Sequence, residues 1–161
     1  MPHLRLEVPE EWLREDFRTA TGFDAKKLLD HLVLVVSNLR MENPAIEKRL
    51  AEGAADVADL PKLVPFINLT NLKHAIVPLY YAHVAGDGAK RFLHVTLSAG
   101  NDTPGRSATV RRRVAETLGN EIDAFMTGVP GLASVTAHVK DIDRDRGYST
   151  TAERKKKREQ T

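Results

Sequence analysis

Two stretches of this chain repeat one succession of periods: an alternating apolar-polar run, an amphipathic helix, then a second extended run. In the first, Leu4, Leu6 and Val8 alternate with His3, Arg5 and Glu7, the period of a half-buried strand, and Pro9 ends it. Asp24 then caps a helix in which Ala25, Leu28, Leu29, Leu32, Val33, Val36 and Leu39 recur at helical spacing. An extended run over 75–84 follows. In the second stretch Leu93, Val95 and Leu97 point one way along a strand at 91–98, and Phe92, His94 and Thr96 the other. Val110, Val114, Leu118, Ile122 and Phe125 line one helix face, and a last strand at 132–139 alternates Val135, Ala137 and Val139 with Ser134, Thr136 and His138. Gly86-Asp87-Gly88 joins the halves as a hairpin turn. A helical crossover brings its two strands parallel and lies on one face of them. Two such units therefore predict an α+β fold: a four-stranded mixed sheet with two main helices on one face.

Proline and glycine punctuate this frame. Pro78 inside the 75–84 run removes a ladder donor, which predicts an edge strand or a bulge. Asn43 and Pro44 restart the chain as cap and first turn of a shorter helix at roughly 45–55, and Pro61 and Pro65 bracket a loop. Gly128, Pro130 and Gly131 stop the second main helix. Residues 1–149 read as a single domain, about 41–62 as an insertion carrying an extra helix, and 150–161 as a flexible basic tail.

Composition narrows the function classes. The chain has 161 residues, 42% of them hydrophobic and 29% charged, enough to bury a core without staples. It has no cysteine, which excludes disulfides, thiol nucleophiles and cysteine-bound metals. No basic-then-apolar leader opens the sequence, so a cytoplasmic location is expected. The longest apolar run, 32–36, falls far short of the roughly 20 residues that span a bilayer, so no membrane role is expected. The net charge of +2 belongs to the tail; without 154–158 the body is acidic, which argues against nucleic acid as a partner.

The sheet face turned away from the helices would carry His3, Arg5, Glu7, Phe92, Thr96 and His138, too varied a set for a core. Such a face suits contact with further copies, so an oligomer is expected. Beside it lies Met1-Pro2. Trimming of Met1 would leave Pro2 with a secondary amine at the sheet edge.

Met1-Pro2-His3 opening a strand, the hairpin, Phe92-Leu93-His94-Val95-Thr96-Leu97, and Gly105-Arg106-Ser107 before an amphipathic helix together resemble one known family. It is the 5-carboxymethyl-2-hydroxymuconate isomerase branch of the tautomerase superfamily. The resemblance implies a tautomerase-like tandem β-α-β fold, a homotrimer and no cofactor or metal. It also implies ketonisation of a dienol dicarboxylate through the N-terminal proline. A group that takes a proton from oxygen and returns it to carbon works best half-protonated at the working pH. A free α-amino group titrates near ~8, and burial and neighbouring cations lower that value. The resemblance assigns Pro2 as the acid/base and Arg106 as the fork for a carboxylate. Lys73 stands where the family carries an arginine, Phe92 walls the pocket, and His94 matches the family's strand histidine. Ala75 takes the place of a further family arginine and cannot bind an anion. Two other readings remain at this stage. One is hydration, dehalogenation or decarboxylation, aided by a water-activating carboxylate such as Glu7. The other is a non-catalytic oligomeric binding protein.

Overall fold

The computed structural model describes residues 2–53, 56–67, 70, 72–80, 83–84, 87–100 and 106–142. The first unit runs from β1 (His3–Pro9) through α1 (Glu15–Thr21) and α2 (Ala25–Asn38) to β4 (Lys73–Leu79). Between α2 and β4 the chain forms β2 (Arg40–Glu42), α3 (Pro44–Ala51) and β3 (Leu63–Pro65). The second unit is β6 (Asp87–Gly100), α4 (Ala108–Phe125) and β7 (Leu132–Ile142), entered through the short β5 (His83–Val84).

Both crossovers return parallel: β4 beside β1, and β7 beside β6. Antiparallel pairing of β1 with β6 joins the two units, giving the order β4-β1-β6-β7, with β5 on the start of β6. The α+β tandem expected from the periods is thus the fold, with β5 as a fifth, two-residue strand. Pro78 sits in β4, an edge strand, where proline is tolerated.

The inner face of the two central strands is apolar. Leu4, Leu6 and Val8 of β1 and Leu93, Val95, Leu97 and Ala99 of β6 are buried against Leu28, Leu32 and Val36 of α2 and Val114, Leu118 and Ile122 of α4. Each such side chain contributes about 1.5–3 kcal/mol by leaving water. At the rim, His31 Nε2 and Glu121 Oε2 meet at 2.7 Å and join α2 to α4. Both main helices begin on side-chain caps. Asp24 accepts from the Lys26 and Lys27 N–H groups at 2.9 and 3.2 Å, and Ser107 accepts from Val110 N–H at 3.3 Å.

Four details differ from the expectations. Pro65 does not close a loop: it ends β3, which pairs with β2 in register Met41 with Val64. Strands of three residues are too short to display a period of two, and this ribbon is fixed instead by burial of Met41 and by Phe66 N–H donating to Leu39 O at 3.0 Å. Helix α3 keeps its Asn43 cap and Pro44 first turn but stops at Ala51. The 75–84 run begins at Lys73 and divides into β4 and β5, while β6 and β7 run longer than 91–98 and 132–139. Finally, a 3-10 turn at Glu10–Leu13 leads into α1, and Trp12 stacks on Phe17 at 5.2 Å and meets Phe23 edge-on at 5.7 Å. This aromatic group closes one end of the core. Gly86 of the hairpin, Gly105 and the tail at 150–161 lie outside the described residues. Among the described residues no helix is long and apolar enough to cross a membrane.

Candidate functional site

Because side chains alternate along a strand, the apolar inner face leaves every second residue to the opposite surface. Strand register then lines these residues up in rows across β4, β1, β6 and β7. The first row is Lys73, His3, Ser98 and Lys140; the second is Ala75, Arg5, Thr96 and His138; the third is Val77, Glu7, His94 and Thr136. Neighbours within a row stand about 4.8 Å apart, and rows follow one another at about 7 Å. A cleft of about 770 Å³ lies over this surface, walled by all of these residues except Thr136.

The cleft is rich in cations and imidazoles. Its one acid among the wall residues, Glu7, takes the Arg5 Nε at 2.8 Å. His94 Nε2 lies 3.0 Å from Thr96 Oγ1, a local pair along one face of β6. The His3 imidazole titrates below its ordinary range, first because it is partly buried, then because the chain's amino terminus and Lys73 repel a further positive charge. His3 is therefore a neutral hydrogen-bonding group at pH 7. Among the described residues no three His, Cys, Asp or Glu side chains are grouped to hold a metal ion.

Pro2 directly precedes His3 of the first row and has the strand parity of Leu4. It is half-buried, and its carbonyl accepts the Lys73 N–H at 3.1 Å, which fixes the start of β1 against the start of β4. The structure brings Lys73 and His94 to the cleft wall, with Phe92 half-buried further along the His94 face of β6, while Pro2 is not among the wall residues. Arg106 is placed differently. Its Nε and Nη2 donate to the Phe66 carbonyl at 3.2 and 2.7 Å, and its guanidinium lies 5.1 Å from the Phe66 ring centroid. It ties the inserted ribbon to the start of α4 and is not in the cleft wall.

The wall residues His74, Ser98 and Lys140 escaped the sequence reading. Continuing the alternation of β7 beyond Val139 puts Lys140 on the His138 face, and that was the available signal.

No protein-family model and no curated protein matches the chain by sequence. Solved structures do match. A 5-carboxymethyl-2-hydroxymuconate delta-isomerase superposes with a TM-score of 0.62 over 96% of this chain and 91% of that one, at 16% identity. A 5-carboxymethyl-2-hydroxymuconate isomerase from Deinococcus radiodurans R1 gives a TM-score of 0.45 at 15% identity, covering 92% of this chain and 88% of its own. The symmetric trimer of a fused wild-type 4-OT gives 0.45 at 14%, covering 93% and 91%. The first of these likenesses carries the fold: the architecture here is the tautomerase-like α+β arrangement.

Proposed function

We propose that this chain is a cofactor-independent isomerase of the tautomerase type. Its substrate is an unsaturated 2-hydroxy or 2-oxo dicarboxylate of the 5-carboxymethyl-2-hydroxymuconate kind, and Pro2 is the acid/base once Met1 is removed. The observation that carries the reading is the backbone bond that sets Pro2 beside Lys73, a wall residue of a cationic cleft, on the fold of a solved isomerase.

The chemistry follows from those groups. The neutral Pro2 amine accepts the enol O–H proton, leaving a dienolate whose charge is spread over the conjugated chain. The resulting ammonium returns the proton to carbon, and the double bond moves with no net change in atoms. Lys73 holds a carboxylate and stabilises the developing negative charge. His3, uncharged and adjacent, adds a hydrogen bond without competing for the proton, and His94 and Phe92 border the bound chain. Arg106 takes a substrate carboxylate in this reading by exchanging the Phe66 carbonyl for it. The same reading makes the protein a cytoplasmic homotrimer, with the polar sheet face beyond the Lys73 edge turned toward its own copies.

Glu7 does not favour hydration or dehalogenation. It stands four residues along β1 from His3, about 13 Å, and is ion-paired with Arg5. The test is Pro2→Ala assayed on a 2-hydroxymuconate-type dienol, with the intact mass of the active protein. Turnover falls about a hundredfold if the amine moves the proton. Unchanged turnover, or an active protein that retains Met1, rejects the mechanism.

A further inference from the structure

Segment 40–66 leaves the body of the fold between α2 and β4 and returns beside its own start. Arg40 pairs with Pro65 and Met41 with Val64, and Phe66 N–H donates to Leu39 O at 3.0 Å, so its two ends close on each other. Of its described residues, Met41 and Phe66 alone are in the core; α3 buries no residue, and Leu50 and Leu63 are 56% and 57% exposed. A cleft of about 620 Å³ separates Pro44, Ile46 and Leu63 of the segment from Ser107 and Val110 at the start of α4. A stretch with so few buried apolar contacts opens more readily than the sheet and the main helices.

Arg106 closes this stretch onto the body. Its Nε and Nη2 donate to one oxygen, the Phe66 carbonyl, at 3.2 and 2.7 Å, and its guanidinium stands 5.1 Å from the Phe66 ring centroid. The contact lies at the sheet end where Pro2 enters β1: His3 pairs with Ser98, and β6 ends at Gly100, shortly before Arg106. The Nε–Nη2 edge is one by which a guanidinium grips a carboxylate. Phe66 is completely buried, so a carboxylate taking that edge strands the Phe66 carbonyl away from water. An unpaired buried carbonyl is costly, and this one regains a donor when the chain around it shifts. The occupied and the closed arrangements therefore compete.

We infer that segment 40–66 is a strap held shut by Arg106 through the Phe66 carbonyl, and that a substrate carboxylate taken by Arg106 opens it. The inference rests on the proposed isomerase reading for its ligand and adds a restraint on affinity, because the closed contact holds the arginine back from the carboxylate. Coupling of this kind is reciprocal: what loosens the strap tightens the ligand by the same factor.

Hydrogen exchange and titration calorimetry on the full chain test the strap with adipate, a saturated dicarboxylate that has no double bond to move. Saturating adipate speeds exchange at the Phe66 amide and at the β2 and β3 amides by about tenfold or more, and leaves the Leu6 and Val95 amides unchanged or slower. A ligand that only stabilises the fold slows exchange everywhere. Phe66→Leu keeps the carbonyl and loses the ring beside the guanidinium; it binds adipate about twofold to fivefold tighter, the size of that cation–π contact. Arg106→Ala shows the fast exchange without ligand and no longer responds to adipate. Unchanged or slower exchange at Phe66, a Phe66→Leu variant that binds no tighter, or no saturable adipate binding overturns the strap. Pro2→Ala assayed on the dienol is the independent arm: full turnover there removes the isomerase reading, while the adipate response still stands or falls on Arg106 and Phe66.

Discussion

Arg106→Ala tests whether the arginine before α4 is a solvated loop residue or a structural tether. Two of its N–H groups reach the Phe66 carbonyl, at 3.2 and 2.7 Å, and hydrogen bonds from a charged donor contribute about 1.5–3 kcal/mol. The guanidinium over the Phe66 ring at 5.1 Å adds about 0.5–1 kcal/mol. Phe66 is completely buried, so its carbonyl cannot simply turn to water when the arginine is gone. These contributions overlap, and a loss of about 3 kcal/mol is expected. For a chain of this size that lowers Tm by roughly 6–12 °C. Denaturant unfolding should show a lower midpoint with an unchanged slope, since the folded and unfolded surfaces stay alike. Arg106→Lys should recover part of the loss, because an ammonium still donates to the carbonyl but lacks the fork. A change within about 0.5 kcal/mol for Arg106→Ala would refute the tether, since ordinary surface substitutions fall in that range.

Two further outcomes are expected. Because the folded value of His3 lies below its ordinary 6.5, the unfolded chain binds more protons there; stability is fully present above pH 6.5 and is lost as pH falls through the folded value. Tm measured from pH 7.5 downward should therefore fall less steeply in His3→Gln than in the unaltered chain, and identical profiles would remove His3 as the cause. Leu6→Ala and Arg5→Gln change adjacent residues on opposite sheet faces: the first should cost about 3–5 kcal/mol in denaturant unfolding, the second less than about 0.5. A stability loss above 1 kcal/mol for Arg5→Gln would mean that the Arg5–Glu7 pair supports the fold.

What the sequence made legible follows from period and length. β1, β6, α2 and α4 each carry an apolar repeat long enough to declare itself, and the capping residue Asp24 marks where α2 begins. α1 has seven residues and no buried one, so no apolar stripe announces it. β2 and β3 have three residues each, and their pairing depends on partners that lie more than twenty positions apart in the chain. The site was legible to the same degree. His3, Arg5, Glu7, His94 and His138 share a face by parity alone. That Arg106 turns to Phe66 was not legible, because the contact joins residues 40 positions apart through a backbone carbonyl, which no side-chain pattern encodes.

The separation of the two sheet faces has a consequence for how this fold carries chemistry. All the buried strand residues of β1 and β6 that face the helices are apolar, and no polar or charged residue is buried among the described residues. The core therefore asks nothing of positions 3, 5, 73, 94, 96, 98 or 140 beyond strand compatibility. Their side chains stand on a surface whose cost is set by solvation, where a charge is tolerated without a partner. Backbone pairing holds them in rows regardless of which side chains they bear, since the ladder bonds use only main-chain atoms. A cation can thus stand on one strand or on its neighbour with a displacement of a single strand spacing. The fold can stay while the binding groups change, which is consistent with a TM-score of 0.62 at 16% identity. On such a sheet the informative quantity for substrate choice is the pattern of charge across the rows, and comparison of single aligned positions will miss a cation that has crossed to the next strand.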